Sequence, residues 1–219
     1  MRVSEHLTND IKPLTTAGKV GEILDLMEEL KFCHLPVLHN GQYVGLISED
    51  DLLDISNEED TLEQHLKVLR PHAIEPADHL YNAVGMIGNG DLTLLPVVDT
   101  AKQYLGYLNP LEIIQDLGQQ LTFAERGSLV VLRIHLRDYH LSQIAQIIES
   151  EQARLVGLHI YSDSSEFLKV VLKINQTDIS RILKAFERYE YTVDQVFHQS
   201  LFDQTASDRY DSLMKYLNI

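Results

Sequence analysis

The sequence predicts a mixed fold, α/β over the first 120 residues and α+β after them: two β-α-β-β-α repeats, then a βαββαβ domain. Three observations predict it. A motif of about sixty residues occurs twice, the order of apolar patterns changes near residue 120, and the composition is that of a chain with a packed core.

The repeat is read from two strand pairs. Leu35-Pro36-Val37-Leu38 is followed by Gly41-Gln42-Tyr43-Val44-Gly45-Leu46-Ile47, and Leu95-Pro96-Val97-Val98 by Gln103-Tyr104-Leu105-Gly106-Tyr107-Leu108. Pro36 and Pro96 are 60 residues apart, Gly45 and Gly106 are 61, and the extra residue falls in the turn, where insertions are tolerated. Ahead of the first pair, Val20, Ile23, Leu24, Met27 and Leu30 form one helical stripe. Leu80, Ala83, Val84 and Ile87 keep much of it in the second copy. The turns are Asn40-Gly41 and Asp99-Thr100-Ala101-Lys102. Short helices over residues 50–55 and 110–117 close the units. A unit this small buries little alone, so the copies, 1–60 and 61–120, are expected to pack as one module.

Gly118, Gln119, Gln120 and Gly127 suggest a hinge over 118–127. From 127 to 199 the pattern is new. Residues 128–136 alternate, with Leu129, Val131 and Arg133 on one face and Val130, Leu132 and Ile134 on the other. Leu141, Ile144, Ala145 and Ile148 have helical spacing. Two strands, 155–161 and 167–174, flank the turn Ser162-Asp163-Ser164-Ser165. Thr177-Asp178 is expected to cap a helix carrying Ile179, Ile182, Leu183 and Phe186, before a last strand at 191–198. In the tail, 200–219, Tyr210, Leu213, Met214 and Leu217 predict a short helix.

Composition narrows the function. Hydrophobic residues make up 44% and charged residues 23%, ordinary globular values. With 18 basic against 33 acidic residues the chain carries a formal charge of −15, which repels phosphate backbones and argues against nucleic acid as a partner. No apolar run has the roughly 18 residues of a membrane helix, and the start lacks a secretory signal, so a cytoplasmic protein without a membrane partner is expected. Cys33 is the single cysteine and reads as a small buried hydrophobe. The ten histidines include no His-x-x-x-His pair, and no metal site is predicted, although His135 and His159 are expected on neighbouring strands. No Gly-rich phosphate loop, Ser-His-Asp order or paired-carboxylate motif is present, so no enzyme and no catalytic residue is predicted.

The order Leu-Pro-Val, turn, Gly-apolar-apolar-Ser, Asp resembles a CBS repeat, and two in tandem over about residues 1–120 resemble a CBS-domain pair, or Bateman module. The βαββαβ order resembles an ACT domain of ferredoxin-like fold. Together they are similar to the CBS–ACT family associated with acetoin utilisation. The resemblance implies that Gly45-Leu46-Ile47-Ser48-Glu49-Asp50-Asp51 is the nucleotide motif Gly-x-x-Ser/Thr-x-x-Asp. Asp51 would accept two hydrogen bonds from a ribose diol, and Ser48 would meet ribose or phosphate. Adenine would lie against the backbone around His34, Leu35 and Pro36, with Lys12, Pro13 and Leu14 closing the pocket. In the second copy Asn109 and Glu112 take the places of Ser/Thr and Asp, which makes a weaker site. A competing reading needs no ligand: Ser48 is a good N-cap, and Asp50 and Asp51 suit a helix N-terminus. ACT domains that bind amino acids usually carry a Gly after the first strand. The loop here, Arg137-Asp138-Tyr139-His140-Leu141, has none, which favours a dimerising or structural domain.

The expected function is therefore a non-catalytic regulatory protein. Its CBS pair would sense AMP, ADP, ATP, S-adenosylmethionine or a cyclic dinucleotide, and it would act on a protein target as a homodimer. The alternative is a structural or protein-interaction module with degenerate pockets. Exposed helix stripes in both repeats and an open sheet edge after His198 motivate the homodimer.

Overall fold

The computed structural model describes residues 1–198, and the predicted tail helix lies outside them. The chain divides after Leu117 into two compact units.

The first unit contains both repeats. β1 (Leu14–Thr15), α1 (Val20–Leu30), β2 (His34–His39), β3 (Gln42–Ser48) and α2 (Glu49–Leu53) make the first copy. α3 (Leu80–Gly90), β4 (Leu95–Val98), β5 (Tyr104–Leu108) and α4 (Pro110–Gly118) make the second. The predicted first strand of the second copy is reduced to one parallel bridge, Ile74 to Val97, which is the counterpart of Leu14 to Val37 sixty residues earlier. Both hairpins shift register at the same place, after Val37 and after Val97. Asn40 and Gly41 take φ of 50° and 80°, the left-handed pair that a two-residue hairpin loop requires. α1 and α3 both end on a left-handed residue, Lys31 and Asp91.

The repeats are stitched together by exchanged segments. Val3 and Ser4 donate backbone N–H groups to Asp78 and Pro76, while Leu62 and Glu63 donate to Gly18 and Thr16. Thr8 pairs both ways with Tyr107, and Arg70 both ways with Leu46, at 2.8–2.9 Å. Each copy's leading segment thus lies on the other copy's second hairpin strand. Glycine permits the close approach. A Cβ on Gly45 would stand 2.8 Å from Leu69 Cβ, and one on Gly106 would stand 2.5 Å from the Thr8 carbonyl oxygen. The predicted helix stripes face inward: Val20, Ile23, Met27, Leu80 and Ala83 are buried in one core with Leu35, Val37, Leu95 and Val97. This corrects the expectation that these stripes are exposed. Of the stripe residues, Val84 is exposed; further exposed apolar side chains among the described residues include Leu53, Leu111 and Ile114.

The second unit has α5 (Leu121–Ala124), β6 (Ser128–His135), α6 (Leu141–Ser150), β7 (Leu155–Ser162), β8 (Phe167–Ile174), α7 (Ser180–Arg188) and β9 (Thr192–His198). The sheet order is β7-β8-β6-β9, antiparallel throughout, so both inner strands come from different halves of the βαββαβ unit. Val130, Leu132 and Ile134 face Ile144, Ile148, Ile182 and Phe186 of the two helices, as the alternation predicts. Two expectations are corrected. His135 and His159 are not on neighbouring strands, because β8 lies between β6 and β7. The α7 cap is also displaced: Asp178 Oδ1 accepts from the Ser180 N–H and hydroxyl, and Ile179 holds the N-cap position.

The expected hinge is shorter than 118–127. Glu125 is paired with Arg154 at 2.8 Å, Thr122 reaches the Val156 carbonyl, and Gly127 is buried. Gly118 and Gln119 are exposed and free of these ties. Limited subtilisin digestion is therefore expected to cut first at about residues 118–120, where exposed backbone is least held. Cleavage confined to the chain termini would count against independent units.

Candidate functional site

The first repeat's motif folds at the junction of β3 and α2. Ser48, the last residue of β3, has extended backbone, and its Oγ accepts the Asp51 N–H at 3.1 Å. The same hydroxyl donates to Asp51 Oδ2, and Asp51 Oδ1 accepts from Arg70 Nη2 at 3.1 Å. Burial raises the Asp51 pKa, but the Ser48 and Arg70 hydrogen bonds and the Arg70 charge outweigh it and hold the carboxyl below its ordinary value. Asp51 is thus ionised and held in place by both neighbours.

Beside this junction lies a cleft of about 350 Å³, near the lower end of the roughly 300–1,000 Å³ seen for small-molecule sites. Cys33, His34, Ser48, Glu49 and Asp50 line it from the first repeat, and Gly90, Asp91 and Thr93 from the second. Arg70, from the segment that crosses onto β3, completes it. Asp51 does not line the cleft itself, but it bonds two residues that do.

His34 is 9% exposed, at the start of β2. Its Nδ1 accepts the Thr93 backbone N–H at 3.3 Å and lies 3.1 Å from the Thr93 hydroxyl. An acceptor Nδ1 fixes the tautomer with the proton on Nε2. Burial, then the Arg70 charge, lowers the His34 pKa, so the ring is neutral. Leu35 and Pro36 are buried, and their side chains do not reach the cleft. Lys12 is exposed and Pro13 half-buried, and neither lines it. Arg70, Asp91 and Thr93 wall this cleft on the side facing the first repeat's motif. Cys33 is also corrected: it is exposed on the cleft. A hydrogen bond to Glu49, together with burial, pushes its thiol pKa up, which makes it a poor nucleophile.

The second copy of the motif is internally satisfied. Asn109 Oδ1 accepts the Leu111 N–H at 2.9 Å, and Glu112 accepts from the Thr8 hydroxyl at 2.9 Å. Thr8 occupies the place that Arg70 holds in the first copy, so a hydroxyl stands beside this carboxylate where the first copy has a guanidinium. Tyr107 donates to Asp10 at 2.6 Å. In the other unit, the loop after β6 carries Tyr139, packed against the core, and an exposed His140. Among the described residues no group of three or more His, Cys, Asp or Glu is placed to hold a metal ion. No helix among them is long and apolar enough to cross a membrane.

Arg70, Asp91 and Thr93 were missed because the motif was sought within one repeat. A signal was available: a module of two like repeats places the corresponding segments of one copy against the other.

Comparison with known proteins gives the following. Residues 3–58 match the CBS domain family. An uncharacterized protein of Methanocaldococcus jannaschii is 22% identical over 123 residues, covering 56% of this chain and 46% of that one, so the match spans under half of the relative. The fold is similar to a CBS domain pair/ACT domain protein from Thermotoga maritima, at 20% identity and a TM-score of 0.48 over 53% of this chain and 96% of that one. It is also similar to CBSX2 in complex with AMP, at 23% identity and a TM-score of 0.45 over 54% and 96%.

Proposed function

We propose that this chain is a non-catalytic regulatory protein that senses an adenine-containing ligand in the cleft of its first repeat and passes the occupied state to a protein target. The observation that carries the reading is a cleft lined from both repeats in which Ser48, Arg70 and the neutral imidazole of His34 converge, with Asp51 held ionised behind them. A ligand bridging both copies would tighten one against the other, a physical route from occupancy to a changed surface. The candidates are AMP, ADP, ATP, S-adenosylmethionine and cyclic dinucleotides. The ACT-like domain, of the type found around acetoin utilisation, would dimerise or relay the change in a cytoplasmic homodimer. Asn109 and Glu112, each already bonded within the protein and facing Thr8 where the first repeat has Arg70, make the weaker second site.

A screen of these ligands by thermal shift tests the reading. A ligand at a hundred times its Kd should add about 2.7 kcal/mol of apparent stability to the first unit. If none of them shifts the melt, the cleft is scaffold. That second reading has its own support: Ser48 caps α2, and Asp51 is already satisfied by Ser48 and Arg70. Light scattering at micromolar concentration is expected to give twice the 25.0 kDa of one chain. A single-chain mass refutes the homodimer.

A further inference from the structure

The charges around the cleft bear on which adenosine derivative fits it. Glu49, Asp50 and Asp91 line it against one cation, Arg70, and Arg70 is paired with a fourth carboxylate, Asp51. Glu49, Asp50 and Asp51 fill the first turn of α2 and offset the positive helix end that a phosphate would otherwise meet. His34 adds no positive charge. Its Nδ1 is turned to Thr93 as an acceptor, so a proton there would meet the Thr93 N–H. Among the described residues its Nε2–H has no hydrogen-bond acceptor, and the ring, 9% exposed, lines the cleft. A nearly buried neutral donor is therefore presented on the cleft wall, suited to an uncharged acceptor on the ligand. A cleft of this size keeps every lining charge within about one Debye length of a ligand, ~8 Å at physiological salt, so their sum is felt.

We infer that this cleft, if it holds adenosine derivatives as proposed above, selects those whose 5′ substituent is neutral or positively charged and rejects polyphosphates. A sulfonium or thioether at C5′ meets Glu49, Asp50 and Asp91 favourably or without cost. A triphosphate places up to four negative charges among three carboxylates with one shared arginine to offset them.

Calorimetry on the full chain with S-adenosylmethionine, 5′-methylthioadenosine, AMP and ATP tests this. The expected order of affinity runs from the sulfonium and the thioether down through AMP to ATP, with S-adenosylmethionine at least about tenfold tighter than ATP. Added salt should narrow that ratio. So should the double variant Asp50→Asn, Asp91→Asn, in which Asn suits the left-handed backbone at position 91. ATP binding as tightly as S-adenosylmethionine, or a ratio unmoved in the double variant, overturns the charge selection and leaves adenosine binding standing. Binding of none of the four overturns the adenosine reading, and the selection falls with it.

Discussion

Gly45→Ala is expected to cost about 2–3 kcal/mol of stability and to weaken ligand binding in the same protein. The new Cβ would stand 2.8 Å from Leu69 Cβ and 3.1 Å from the Arg70 carbonyl oxygen. Neither is the far end of a flexible side chain, so the crossing segment has to move. That movement breaks the paired Leu46 and Arg70 hydrogen bonds and draws Arg70 away from Asp51. Gly106→Ala is the internal control. Its Cβ would meet the Thr8 carbonyl oxygen at 2.5 Å, so a similar stability cost is expected. The segment it displaces lies on the second repeat, and affinity at the first-repeat cleft should hold. Urea titration gives the stability and calorimetry the affinity. Parental stability in Gly45→Ala would sink the close-approach argument. Equal loss of affinity in both variants would sink the link between Arg70 and the cleft.

Asp51→Ala is expected to lower ligand affinity by about tenfold or more while changing stability by only about 1 kcal/mol. Asp51 lies behind the cleft wall, so the ribose role requires the ligand to displace Ser48 or Arg70 from its carboxylate. It then gives Asp51 two charge-assisted hydrogen bonds, each worth roughly 1.5–3 kcal/mol, and 1.4 kcal/mol is about a factor of ten. The stability change is small because Arg70 is about half exposed and such pairs contribute about 0–1 kcal/mol. Ser48→Ala separates the two roles of the motif: loss of the cap should cost about 1 kcal/mol whether or not a ligand binds. The capping reading predicts unchanged affinity in Asp51→Ala. Calorimetry with the tightest ligand of the screen, run beside matched melting curves, decides, and equal affinity in parent and variant removes the ribose role.

Much of the fold was legible because it is written in local periodicity. Strand alternation at 128–134 marked the buried face of β6, and the stripe at Val20, Ile23 and Met27 marked the core face of α1. The Asn40-Gly41 pair named its own turn. The sixty-residue repeat implied a module of two copies packed together. The βαββαβ element order was also legible, while the strand order β7-β8-β6-β9 came from the packed sheet.

What the sequence determined by itself were the elements, their faces, the repeat, and the Ser48–Asp51 junction as a place where a hydroxyl and a carboxylate meet a helix start. Tertiary structure alone decided which residues stand opposite that junction. Arg70 and Thr93 lie 19 and 42 residues beyond Asp51 in the chain; Arg70 comes to the cleft because the second repeat's leading segment crosses onto β3, and Thr93 because the turn after α3 packs against His34 of the first repeat. The same folding put Cys33 on the surface and set β8 between His135 and His159. Periodicity fixes the direction of a side chain relative to its own backbone. The identity of its neighbours depends on register between distant segments, which is set by close approaches such as Gly45 to Leu69 that only the packed chain contains.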